Sequence, residues 1–163
     1  MIHCKSNTEK DTLLFGEKLG KILYENSLIC LDGDLGTGKT VITRGIARGL
    51  GIEEYITSPT FTLINEYESK LNLYHFDVYR IHTIDELYEI GFEEYIYNGI
   101  CVIEWSENIN KALPNEFIKI KIEKDNIDYN LRNIYIDFKG EKYSELKRIF
   151  QESGKYKDET VSY

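Results

Sequence analysis

The 163-residue chain is predicted to be an α/β protein, a three-layer sandwich around a mixed sheet, on three observations. Short apolar runs alternate with helical patterns, as expected where helices cover the faces of a sheet. One such run, Ser27–Asp32, enters a glycine-rich turn that opens directly into a helical pattern. Two pairs of strand-like runs are separated by short polar turns, which adds antiparallel hairpins.

Each element has its own signal. Thr8 and Asp11 have capping-box spacing, with Asp standing in for Glu or Gln. Leu13, Leu14, Leu19, Ile22 and Leu23 then give an apolar face, so a helix is predicted over Thr8–Tyr24. Ser27–Asp32 (SLICLD) reads as a short buried strand. A second helix is predicted over Lys39–Leu50, ended by Gly49 and Gly51. Thr60–Tyr67 and Leu71–Tyr79 read as a hairpin, and Ile84–Tyr97 as one or two short helices broken at Gly91. Gly99–Glu104 (GICVIE) is a further buried strand. Phe117–Glu123 and Leu131–Phe138 pair around the polar turn Lys124–Asn130, and Glu141–Phe150 fits a last helix. Residues 1–150 form a single expected domain; residues 151–163 are polar and expected to be a flexible tail.

Composition narrows the function. A hydrophobic share of 42% with 13% aromatics supports a packed core. Lys and Arg number 20 against 28 Asp and Glu, for a net charge of −8. That argues against a protein whose main task is gripping phosphate backbones, which needs clustered cations, and leaves room for a local basic patch. The three cysteines, Cys4, Cys30 and Cys101, form no CxxC pair, and their odd number argues against a disulfide framework. His3, His75 and His82 lack metal-ligand spacing. The first residues carry no apolar signal core, and no run approaches the roughly 20 apolar residues of a membrane span. A soluble, cytoplasmic protein is expected.

The most specific motif is Gly33-Asp34-Leu35-Gly36-Thr37-Gly38-Lys39-Thr40, which fits G-x-x-x-x-G-K-[ST] in full. Its glycines allow consecutive backbone N–H groups to converge on one anion, and the helix that follows adds its N-terminal N–H groups and dipole. Lys39 places a cation on the β- and γ-phosphates, and Thr40 offers a hydroxyl to Mg²⁺. Val41 completes the run. A random chain of this length matches the pattern on the order of once in a few hundred, and the strand before and helix after it are the context the motif requires. The fold expectation sharpens to P-loop NTPase-like, with ATP and Mg²⁺ as cofactors.

Three further clusters accompany the loop. Ile100–Glu104 is an apolar strand ending in a carboxylate, followed by Trp105; Glu104 is a second metal anchor or an ordinary strand end. In His75-Phe76-Asp77-Val78-Tyr79-Arg80, strand alternation puts His75, Asp77 and Tyr79 on one face and Phe76 and Val78 on the other. Asp77 could hold or orient water and Arg80 could meet phosphate or a partner; the alternative is a half-exposed strand with a local ion pair. Thr57-Ser58-Pro59-Thr60-Phe61 stands where nucleotide-sensing proteins carry a switch segment, or is simply a loop entering a strand.

Together GDLGTGKT at Gly33–Thr40, SPTF at Ser58–Phe61, HFDVYR at His75–Arg80 and VIEW at Val102–Trp105 resemble the bacterial tRNA threonylcarbamoyladenosine biosynthesis ATPase family, TsaE/YjeE. Smaller echoes are Glu86-Leu87 with Gly91, and Leu113-Pro114, so the resemblance spans about residues 8–138. It implies a small ATPase required for threonylcarbamoyladenosine (t6A) modification of tRNA. Such a protein binds the TsaD–TsaB synthase pair and meets tRNA only through that complex. By position, Lys39 matches the phosphate-binding lysine, Thr40 and Glu104 the magnesium ligands, and Asp77 a carboxylate implicated in hydrolysis. Ser58, Thr60, Arg80 and Trp105 match the switch, strand and tryptophan positions. Val41 departs from members with a second hydroxyl residue there. Ser6–Lys10 enters as an adenine-pocket candidate by analogy alone.

Two other functions fit a P-loop. A small-molecule kinase needs an acceptor pocket and an arginine-bearing lid, yet Arg44 and Arg48 lie on the helix after the loop. A nucleotide-gated binding module with incidental hydrolysis differs from an ATPase only in turnover.

Overall fold

The computed structural model describes residues 1–153. The tail expected at residues 151–163 therefore lies mostly outside the described residues. Seven strands form one sheet: β1 (Ile2–Ser6), β2 (Leu28–Asp32), β3 (Ile64–Tyr67), β4 (Leu73–Asp77), β5 (Ile100–Glu104), β6 (Phe117–Lys124) and β7 (Arg132–Lys139). The helices are α1 (Glu9–Gly20), α2 (Lys39–Gly49), α3 (Ile84–Glu89), α4 (Phe92–Ile96) and α5 (Ser144–Ser153). Two 3-10 turns, Ser106–Ala112 and Glu141–Tyr143, complete the described elements. No described helix is long and apolar enough to cross a membrane.

The strand order is β1-β7-β6-β2-β5-β4-β3. β2 runs parallel to β5 and β6, and β4 parallel to β5, while β3–β4, β6–β7 and β1–β7 are antiparallel. The sheet is mixed, with both expected hairpins in place. Its two faces are dry. On one, Ile29, Leu31 and Val102 pack against Phe15 and Leu19 of α1, Ile42 and Ile46 of α2 and Phe150 of α5. On the other, Cys30, Cys101 and Ile103 meet Leu87, Phe92, Ile96 and Ile109. Both faces of β2 and β5 are covered, which is why their sequences read as unbroken apolar runs and not as alternation.

α1 and α2 cross at very short range. Ideal Cβ atoms built on Gly16 and Gly20 would lie 2.3 Å from the carbonyl oxygens of Ile42 and Ile46, and those on Gly45 and Gly49 would lie 2.2 and 2.4 Å from those of Leu13 and Glu17. Only glycine admits this backbone-to-backbone contact. It presses α2, which opens with Lys39, against α1.

Several boundaries differ from expectation. β1 had no signal because Ile2 and Cys4 are the only apolar residues on its inward face, beside the buried Ser6; it is a strand because β7 pairs with it. α1 stops at Gly20, not Tyr24, although the Thr8–Asp11 capping box is present as read. The strand expected from Thr60 begins only at Ile64: Thr60–Leu63 form a turn, with Leu63 at φ 66°. The helix expected over Glu141–Phe150 splits into a 3-10 turn and α5, which continues through Ser153 and takes in three residues assigned to the tail. Gly91 breaks the Ile84–Tyr97 segment at φ 73° as read.

Candidate active site

β2 ends at Asp32, residues 33–38 form the loop, and α2 starts at Lys39. Two glycines are obligatory. Gly38 caps α2 in the left-handed region at φ 115°. Gly33, at φ 145°, runs so close to β6 that a Cβ would lie 2.2 Å from the Ile122 carbonyl oxygen. Thr37 is buried at 2% exposure, and its hydroxyl donates to the Asp34 carbonyl at 2.8 Å. From β7, Arg132 Nε donates to the Thr37 carbonyl at 2.9 Å, tying the loop to the far hairpin. Lys39 is 5% exposed. Its Nζ donates to the carbonyls of Gly33 (2.5 Å) and Asp34 (3.0 Å) and lies 3.8 Å from the Trp105 ring centroid. Burial pushes the Lys39 ammonium below the ordinary lysine range, and the Glu104, Glu107, Asp77 and Asp34 carboxylates pull it back in part.

The parallel register supplies the acidic groups. Asp77 and Glu104 end β4 and β5 as Cα partners, on the face that carries α2. Glu104 Oε1 accepts from Thr40 Oγ1 at 3.0 Å and sits 2.8 Å from His75 Nε2. Asp77 Oδ2 accepts from Thr60 Oγ1 (3.0 Å) and Ser58 Oγ (3.2 Å), and Oδ1 accepts from the Tyr79 N–H at 3.0 Å. Asp77 thus fastens the Ser58–Thr60 segment to the end of β4.

Trp105 follows Glu104 in the left-handed region, at φ 63°. The turn is held from the opposite face of the sheet, where Asp32 accepts from Ser106 Oγ (2.8 Å) and the Glu107 N–H (3.2 Å) and pairs with Lys119. Tyr79 packs on Trp105 at 4.8 Å between centroids, and Arg80 lies 4.8 Å from the ring of Phe61.

One cleft of about 550 Å³ gathers Leu35, Gly36, Gly38, Lys39, Thr40 and Val41 of the loop with Ser58, Thr60, Asp77, Arg80, Glu104 and Trp105. Gly33, Asp34 and Thr37 shape the loop without lining the cleft. Sequence reasoning had not singled out Arg44 and Tyr79 as lining residues, nor Arg132, His75 and Asp32 as supports. Each of the last three depends on strand pairing, for which a single sequence holds no local signal. The donor set suits a small hard cation. The hydroxyl of Thr40 and the carboxylate of Glu104 are both oxygen ligands, and Mg²⁺ takes one or two such protein oxygens together with phosphate oxygens.

A glycine-rich loop between a central parallel strand and a helix, in a mixed sheet with helices on both faces, defines a P-loop NTPase-like fold. The model of the threonylcarbamoyl adenosine biosynthesis protein TsaE family matches residues 6–134, and the chain belongs to that family. It is 43% identical over 122 residues to the tRNA threonylcarbamoyladenosine biosynthesis protein TsaE of Treponema pallidum, covering 74% of this chain and 90% of that one. It is 43% identical over 121 residues to the protein of the same name from Bacillus subtilis, covering 73% and 74%. The crystal structure of Bacillus subtilis YdiB is similar at a TM-score of 0.81 and 30% identity, covering 94% of this chain and 97% of that one.

Proposed function

We propose that the chain is the ATPase component of tRNA t6A modification, binding Mg-ATP in the cleft and hydrolysing it in complex with a TsaD–TsaB-type synthase pair. The observation that carries the reading is the convergence in one cleft of Lys39 and Thr40 with Glu104 and Asp77, four groups from three separate elements. Membership of the TsaE family supports the pathway.

The chemistry asked of the chain is positioning and charge. The loop N–H groups and the N-terminus of α2 receive the phosphates. Lys39 turns from the Gly33 and Asp34 carbonyls to phosphate oxygens, exchanging neutral acceptors for charged ones. Thr40 and Glu104 hold the metal, and Mg²⁺ when bound neutralises charge on the phosphoryl oxygens. Asp77 orients the attacking water, and its bonds to Ser58 and Thr60 make that segment responsive to the nucleotide. Trp105 and Arg80 line the mouth, where a partner contacts the site. The chain meets tRNA through the complex and works in the cytoplasm.

Magnesium-dependent ATP hydrolysis by the purified chain, with and without its cognate TsaD–TsaB pair and with and without tRNA, tests the reading. Strong stimulation by the pair is expected. Equal rates in all arms would remove the case for the complex, and binding without any turnover would favour a nucleotide-gated binding module.

A further inference from the structure

His75 is fully buried on β4, which is unusual for a histidine. Its Cα partner on β5 is Val102, so Glu104, two residues on, projects from the same face of the neighbouring strand. The ring reaches across, and Nε2 lies 2.8 Å from Glu104 Oε1. A carboxylate can only accept, so the proton of this bond sits on Nε2. The other ring nitrogen, Nδ1, is buried without a hydrogen-bond partner among the described residues. A leucine or phenylalanine would fill the slot without stranding a polar nitrogen, which costs free energy. What histidine adds here is a single donor aimed at one carboxylate oxygen. That same oxygen also accepts from Thr40.

We propose that His75 is a positioning residue for Glu104. Its Nε2–H and the Thr40 hydroxyl clamp Oε1 from two sides, which fixes the rotamer of the carboxylate and turns its second oxygen to the cation that accompanies the nucleotide. The inference rests on the Mg-ATP reading of the cleft. Buried donors that orient a metal-binding side chain typically matter by about 10–100-fold in metal affinity.

The test uses Trp105, the single tryptophan of the chain, as a fluorescent reporter beside Glu104. ADP is titrated with EDTA present, and Mg²⁺ is then titrated at saturating ADP. For His75→Leu, the ADP affinity without Mg²⁺ is expected to stay within about twofold, while the Mg²⁺ concentration at half-response rises at least about tenfold. His75→Gln, whose amide nitrogen can stand near the Nε2 position, is expected to recover most of that loss. In a Glu104→Gln background, His75→Leu is expected to add little, since the two act through one group. If His75→Leu does not fold by circular dichroism, His75→Asn, too short to reach Oε1, takes its place with the same expectation. An unchanged Mg²⁺ half-point, equal losses for Gln and Leu, or full additivity with Glu104→Gln would overturn the proposal and leave His75 as packing. A wild-type protein that responds to neither ADP nor Mg²⁺ would overturn the nucleotide reading itself, before any variant is compared.

Discussion

Replacing Gly45 by alanine sets two effects against each other. In the middle of α2, alanine is favoured over glycine by about 1 kcal/mol through helix propensity alone. The added methyl, however, would sit 2.2 Å from the Leu13 carbonyl oxygen, 2.8 Å from Gly16 Cα and 2.9 Å from the Glu17 nitrogen. All three are backbone atoms, so no rotamer change relieves them, and α1 must retreat by roughly 1 Å to reach van der Waals distance. Overpacking of this kind costs about 1–3 kcal/mol, and the rigid backbone places it at the upper end. The net expectation is destabilisation by about 2 kcal/mol, a fall in Tm of about 4–8 °C for a chain of this length. Urea and thermal unfolding of Gly45→Ala give the number. Gly16→Ala should behave alike, and the double variant should lose less than the sum, because one retreat of the helix relieves both clashes. A Tm that is unchanged or raised would refute the close-approach account, since propensity would then be the only effect felt.

Other expectations follow from the site and the core. Asp77→Ala should lower the hydrolysis rate by at least about tenfold more than it lowers ATP affinity, as read by single-turnover kinetics beside equilibrium binding; equal losses would make Asp77 a binding group. Glu104→Ala should remove magnesium-dependent turnover, and retained turnover with its metal requirement would place the cation elsewhere. Burial pushes the thiols of Cys4 and Cys30 up from 9.0 to about 12, and that of Cys101 higher still. The folded state therefore keeps protons that the unfolded state releases, so the stability is intact below about pH 9 and is lost as pH rises toward 12, at about 1.4 kcal/mol per pH unit for each thiol. Urea midpoints measured from neutral to alkaline pH check this, and a midpoint that stays flat above about pH 9 would contradict it.

What a single sequence discloses here follows sequence distance. The Gly33–Thr40 loop, the Thr8 cap and the Gly91 break are local, and each was legible because a few adjacent residues carry the whole signal. Strand alternation in His75–Tyr79 placed His75 and Asp77 on a polar face, yet the partner of His75 is set by the β4–β5 register. Arg132 reaches Thr37 across 95 positions only because β7 lies beside β6, which Gly33 touches. The Thr60–Leu63 turn overrode a strand-like composition, since the two hydroxyls of Ser58 and Thr60 are held by Asp77 and draw the chain away from the sheet. Gly16, Gly20, Gly45 and Gly49 form the α1–α2 crossing, a contact between helices that no adjacent residues signal; of the four, the sequence marked only Gly49, as a helix end.

The most direct test of the central claim is a calorimetric titration of ATP into the wild-type chain and into Lys39→Ala, each with Mg²⁺ and with EDTA. The account predicts saturable binding by the wild type that tightens with Mg²⁺, and at least about tenfold weaker binding by the variant, corresponding to about 1.4 kcal/mol. ATP affinity that is the same in both proteins would contradict it, because the cation that the loop presents would then play no part in holding the phosphates.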